Sequence, residues 1–168
     1  MDSFSHPESL RDRESIPFHE ETRSVDRTAF ESIAEDVDSH AVVGITNDEG
    51  AVLLQNDGSH GWTLLAFPAE PGADWTTVVR QEATELLGIE VVLDQVERVR
   101  RLDLHLSSDD RQSVTMYNVV FRGAVDGTID LEERRRTNDD PKLGWFTGVS
   151  DEQDGAVADD IRRFVADR

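Results

Sequence analysis

Cysteine is absent from this chain. That excludes a disulfide framework, a thiolate nucleophile and any Cys-based zinc site. Lysine is almost absent too: Lys142 stands alone among 17 basic residues, and the rest are arginine. No apolar run approaches the ~18 residues of a transmembrane helix, so no membrane partner is expected. The first residues, MDSFSHPESLRDRES, lack the apolar stretch of a secretory signal. The expected location is therefore the cytoplasm. Internal repeats and low-complexity tracts are missing as well. With 168 residues, of which 37% are hydrophobic, the chain suffices for the core of one domain.

Acid is what the sequence has in excess. There are 36 acidic residues, for a formal net charge of -19, spread along the chain rather than gathered in a tail. Such an excess repels itself and works against a compact state at low ionic strength. At molar salt the Debye length falls to roughly 3 Å and the repulsion is screened. An ordinary acidic protein is the plain reading. The acid-rich, lysine-poor balance more closely resembles a cytoplasmic protein of an extreme halophile. A duplex nucleic acid is disfavoured as a partner, because binding it draws on many Lys and Arg contacts to phosphate. A small phosphorylated ligand stays compatible if a divalent cation mediates the contact.

Residues 1–24 are polar and without apolar period, which predicts an irregular arm. Asp26 can cap a helix whose apolar residues Phe30, Ile33, Ala34 and Val37 follow the i, i+3, i+4, i+7 stripe. These 39 residues, arm plus amphipathic helix, precede a main domain over 40–168. There, residues 41–46 and 51–55 read as strands around the turn residues Asn47-Asp48-Glu49-Gly50, a hairpin. A short extended segment over 62–67 leads to a loop over 68–72. A helix follows from the cap Asp74 to Leu87, with Gly88 placed to end it. Strands are predicted over 90–93, 96–106, 114–125 and 143–146, and a last helix over 156–165. Strands on both sides of a central helix give an α/β layered domain.

The stretch Trp62 to Ile89, WTLLAFPAEPGADWTTVVRQEATELLGI, resembles the box of the Nudix hydrolase family. In that family G-x5-E-x7-R-E-U-x-E-E-x-G-U, with U apolar, usually follows W-x-L-P-G. Trp62 and Leu64 match the lead-in, and Glu70-Pro71-Gly72 the common E-x-G loop. Glu82 matches the Glu of the R-E pair, Glu85 the first of the E-E pair, and Gly88-Ile89 the closing G-U. Trp145-Phe146 resembles the W-F of the family's last strand. The resemblance spans about residues 40–150. It implies a Nudix-like α/β/α sandwich with a mixed β-sheet, here with an N-terminal arm and helix added. Five positions differ, four of them within the box: Ala66 and Phe67 replace loop glycines within and beside the box, Ala73 its first Glu, Gln81 its Arg and Leu86 its second paired Glu.

Diphosphate cleavage needs phosphate charge neutralised and a water activated, work suited to Mg²⁺ or Mn²⁺ among oxygen ligands. Glu82 and Glu85 stand three apart, on one side of a helix. The resemblance implies Glu82 as general base and metal ligand, Glu85 as metal ligand, and the Ala66 carbonyl as a third donor. Phe67, Glu70 and Arg80 are the candidate substrate contacts, and Asp139 or Asp140 a distal acid. Against these stand plainer readings. Acid pairs at this spacing are common in so acidic a chain. Trp62 and Trp145 read first as packing residues, His60 as a loop histidine, and Glu132 to Arg136 as a salt-bridged surface. Leu86 removes one carboxylate from any metal cluster, and Gln81 cannot make a charge-assisted pair. The implied function is hydrolysis of a nucleoside diphosphate linked to another moiety, by Mg²⁺-assisted water attack on phosphorus. The alternative is a non-catalytic Nudix-fold module binding a nucleotide or a partner. Homodimers are common in the family, so a homodimer is compatible.

Overall fold

The computed structural model describes residues 7–11, 13, 16–36, 39–47, 49–56, 62–69, 73–125, 142–148 and 155–165. After a 3-10 turn at Pro7–Leu10, the strands are β1 (Phe18–Val25), β2 (Ser39–Ile45), β3 (Val52–Asn56), β4 (Trp62–Thr63), β5 (Leu65–Ala69), β6 (Val91–Leu106), β7 (Asp109–Val125) and β8 (Lys142–Phe146). The helices are α1 (Arg27–Asp36), α2 (Trp75–Leu87) and α3 (Gly155–Val165). A five-stranded sheet runs in the order β1-β6-β7-β2-β5, and a three-stranded one in the order β4-β3-β8. The first is mixed: β1 is parallel to β6 and β2 to β7, while β6-β7 and β2-β5 are antiparallel. The layered α/β sandwich with a mixed sheet is thus present.

Alternation along the strands divides the core in two. On β2, Ala41, Val43 and Ile45 join one apolar cluster and Val42 the other. The first cluster takes the buried side of α2, namely Trp75, Val79, Ala83 and Leu87, with Val119 and Phe121 of β7. The second takes Ile161 and Phe164 of α3 with Val52, Leu54, Leu64 and Val120. Gly44 permits the close docking of α3. A Cβ there would run into the Phe164 ring, so the ring lies flush on the backbone of β2.

Four expectations change. Over 18–25 the arm is not irregular: β1 lies beside β6 in full parallel register from Phe18↔Val99 to Val25↔Leu106. Its side chains are mostly exposed, so no apolar period marked it, and backbone pairing with β6 holds it. Residues 41–46 and 51–55 do not make an extended hairpin. They share one bridge, Thr46↔Val52, and then part into different sheets. The two strands expected over 90–106 are one, β6, whose register shifts at Leu93/Gln95 and Val96/Arg98. Each irregularity resets the alternation and breaks the period that sequence reading relies on. Pro68 and Ala69, expected in a loop, extend β5 against His40 and Ser39. As an edge strand, β5 tolerates a proline.

Candidate functional site

α2 is the best-defined carrier of the predicted chemistry. Asp74 caps it, its carboxylate accepting from the Thr77 backbone N–H at 3.2 Å. Gly88 ends it at φ 68°, donating its N–H to the Thr84 carbonyl at 2.8 Å. Glycine meets this left-handed turn without the penalty of a Cβ. Thr84 Oγ1 then accepts the Val91 N–H at 3.1 Å, which ties the end of the helix to the start of β6.

With Trp75, Thr76, Val79, Ala83 and Leu87 buried, the opposite side of α2 faces solvent. Glu82 and Glu85 are both exposed there. Three residues of helix put them about 60° apart in projection, on one face. Arg80 is exposed as well, but two residues of helix turn it about 160° away from Glu82. The helix therefore groups the two glutamates and separates Arg80 from the first of them. Leu86 and Phe67, both half-buried, pack against the first apolar cluster. Ala66 packs against the second, on the other face of β5. β5 is an edge of its sheet, so alternate backbone carbonyls along it point away from β2. Glu70, Asp139 and Asp140 lie outside the described residues, as do His60, Glu132 and Glu133. Among the described residues no three His, Asp or Glu side chains converge on a point that could hold a metal ion. The donors at hand near α2 are hard oxygens, suited in type to Mg²⁺ and few in number. Trp62 meets Phe146 with ring centroids 4.8 Å apart, and Trp145 packs against the first cluster, so both tryptophans serve packing. No helix among the described residues is long and apolar enough to cross a membrane.

Sequence reading missed two charged networks. Arg98, 3% exposed on β6, donates through Nε and Nη2 to the carboxylate of Asp160 on α3. Beside it the buried Glu97 accepts from Arg122 Nε at 2.6 Å and from Gln95 Nε2 at 2.8 Å. Arg122 also lies over the Phe164 ring, 4.8 Å from its centroid. The other network centres on Glu8 in the 3-10 turn. It accepts from Tyr117 Oη at 2.7 Å, from Arg101 Nη1 at 2.5 Å and from Arg11 Nε at 2.9 Å through its other oxygen. Burial pushes Glu8 up, but the hydrogen bonds from Tyr117, Arg11 and Arg101 outweigh it and hold the carboxyl below its usual value. Burial, and then the hydrogen bond to Glu8, push the Tyr117 hydroxyl up to about 12. The signal for Arg98 was available in principle, as an arginine next to valines in a strand. The bulge beside it obscured which face it takes.

No family model matches the chain, and no curated protein matches it in sequence. Solved structures do match in shape. A Nudix hydrolase from Nitrosomonas europaea superposes with a TM-score of 0.51 at 19% identity, over 77% of this chain and 88% of its own. A UDP-X diphosphatase superposes with a TM-score of 0.50 at 17% identity, over 84% of this chain and 71% of its own. A second Nitrosomonas europaea Nudix hydrolase structure gives a TM-score of 0.50 at 16% identity, over 79% and 73% respectively. Together with the mixed sheet between α2 and α3, and with a capped helix issuing from an edge strand, these likenesses establish that the chain has the Nudix fold.

Proposed function

We propose that this protein is a Nudix-type hydrolase that cleaves a nucleoside diphosphate linked to another moiety. One observation carries the reading: on this fold, Glu82 and Glu85 share the exposed face of a helix capped at both ends and issuing from the edge strand β5. Glu82 would take the proton of the attacking water and, with Glu85, would hold a divalent ion, to which the Ala66 carbonyl of β5 would add a neutral oxygen. Asp139 or Asp140 supplies a further acid. The ion, Mg²⁺ or Mn²⁺, would supply neutralisation of the phosphate charge. Phe67 walls the mouth of the site and Glu70 contacts the substrate, whereas Arg80, turned about 160° from Glu82, falls outside it. The UDP-X diphosphatase among the structural neighbours makes nucleotide-linked diphosphates the first substrates to try. The acid-rich composition supports a halophile's cytoplasm as the setting.

The test is release of a nucleoside monophosphate from a panel of UDP- and ADP-linked compounds in high salt with Mg²⁺. Wild type should turn over at least one of them. Glu82→Gln should slow that turnover by about 10²- to 10⁴-fold, the usual worth of a general base. No turnover anywhere on the panel would end the hydrolase reading.

A second reading has its own observation. Leu86, where the family carries the second paired Glu, packs against the core, and that carboxylate has no replacement among the described residues. A module that binds a nucleotide without cleaving it fits this loss. It would show thermal stabilisation by nucleotide with no product formed.

A further inference from the structure

A cavity of ≈ 350 Å³ opens between β1, β6 and α3, lined by His19, Glu20, Glu21, Arg98, Arg100, Asp159 and Asp160. That volume lies in the range of small-ligand sites. It adjoins the α3 side of the sheet, whereas Glu82 and Glu85 ride on α2. All four of its carboxylates are already engaged: Asp160 by Arg98, Glu20 by Arg11, Glu21 by Arg23 and Asp159 by Arg162. Not all of its donors are. Among the described residues Arg98 Nη1, on a side chain more than nine-tenths buried, has no hydrogen-bond partner, while Nε and Nη2 of the same group are held by Asp160. Arg100 reaches Asp160 only at 4.0 Å, as a second claimant on a carboxylate that Arg98 holds with two bonds. His19 sits opposite Arg100 in the β1-β6 register and adds a ring N–H. Burial, and then the like charge of Arg98, pull the Arg100 guanidinium below its usual value despite Asp160, Asp159 and Glu21. Four carboxylates line the cavity against two arginines, and with each carboxylate paired the Arg100 guanidinium is the cation left over at the β6 wall.

We propose that this cavity binds the phosphate group of a small phosphomonoester, held by Arg100 and His19. Phosphate oxygens match guanidinium N–H groups in geometry and charge. Arg98 Nη1 is covered from solvent, so Arg100, with a quarter of its side chain exposed, supplies the accessible contact. Bound there, a phosphate would give Arg100 an acceptor of its own and relieve its competition with Arg98 for Asp160. The site stands on different residues from the hydrolase reading and does not depend on it.

Thermal unfolding of the full chain, titrated with inorganic phosphate and with glycerol phosphate at ionic strength fixed by KCl, tests this. The melting temperature should rise and saturate, as binding to one site requires. Saturation by either probe supports the site, and the lower midpoint of the two identifies a free or an organic phosphate as the better fit. Arg100→Gln should raise that midpoint about ten- to a hundredfold, the worth of hydrogen bonds to a charged group. His19→Asn should raise it less, and gives an independent reading if the first variant folds poorly. Glu82→Gln should leave it unchanged. A rise that never saturates and is the same in Arg100→Gln would be general stabilisation by a salt excluded from the protein surface and would overturn the proposal. So would a midpoint that moves in Glu82→Gln and not in Arg100→Gln, since binding would then belong to α2.

Discussion

Asp160 accepts both hydrogen bonds that Arg98 makes toward α3, and the pair is almost wholly out of water. Removing one partner strands the other. Asp160→Ala should cost about 3–5 kcal/mol, the penalty of an uncompensated buried charge. The double change Arg98→Met with Asp160→Leu should recover much of that loss, because apolar packing often replaces a buried pair at no net cost. Urea unfolding of the three chains measures both. If the single change costs under 1 kcal/mol, water already reaches the pair and its burial is nominal. Gly44 is the apolar counterpart. Gly44→Ala forces the Phe164 ring off β2 and should cost about 1–3 kcal/mol as overpacking. Glu82 and Glu85 could be singled out in the sequence by their resemblance to the family's box, and helical spacing then only puts them on one face. Arg98, Arg100 and Asp160 could not. Their meeting depends on bulge positions in β6 and on the docking of α3 more than fifty residues later, neither of which a local pattern encodes.

At the level of elements, α2 was the most legible because it has explicit start and stop chemistry. Asp74 and Gly88 act where their residue types act best, and the buried stripe follows helical spacing. Asp74→Ala should destabilise by about 1 kcal/mol through the lost cap. The N-terminal 3-10 turn was illegible, since it is held by polar contacts between residues about a hundred positions apart. Those contacts titrate. Glu8 is held low in the folded state, so its contribution is present above the unfolded carboxyl value and is lost as pH falls through the lowered one. Tyr117 is raised to about 12, so its contribution is intact below pH ~10 and fades as pH climbs toward the raised value. Stability measured from neutrality to pH ~12 should fall in that upper window, and Tyr117→Phe should flatten the fall. An unchanged slope in the variant would place the alkaline loss elsewhere.

The whole molecule carries a net charge of -19, and much of that surface is loaded with one sign. Folding gathers these charges, so screening favours the compact form. The unfolding midpoint should climb as KCl is raised from ~0.1 M to ~1 M, where the Debye length shortens from about 10 to 3 Å. A midpoint indifferent to salt would make the acid excess incidental. The α/β sandwich itself could be anticipated because its strands alternate and its main helix is capped. β1 could not, and its placement bears on how the chain assembles. Phe18 of β1 lies beside Val99 of β6, 81 positions along the chain. Joining such distant segments closes a large loop, and a parallel pair gains no help from a tight turn. The β6-β7 ribbon, joined through the short turn at Ser107 and Ser108, forms its contacts locally. In refolding followed by pulsed amide labelling, the ribbon should gain protection early and residues 18–25 should gain theirs last, so that a nascent chain keeps the far border of its sheet open until the end.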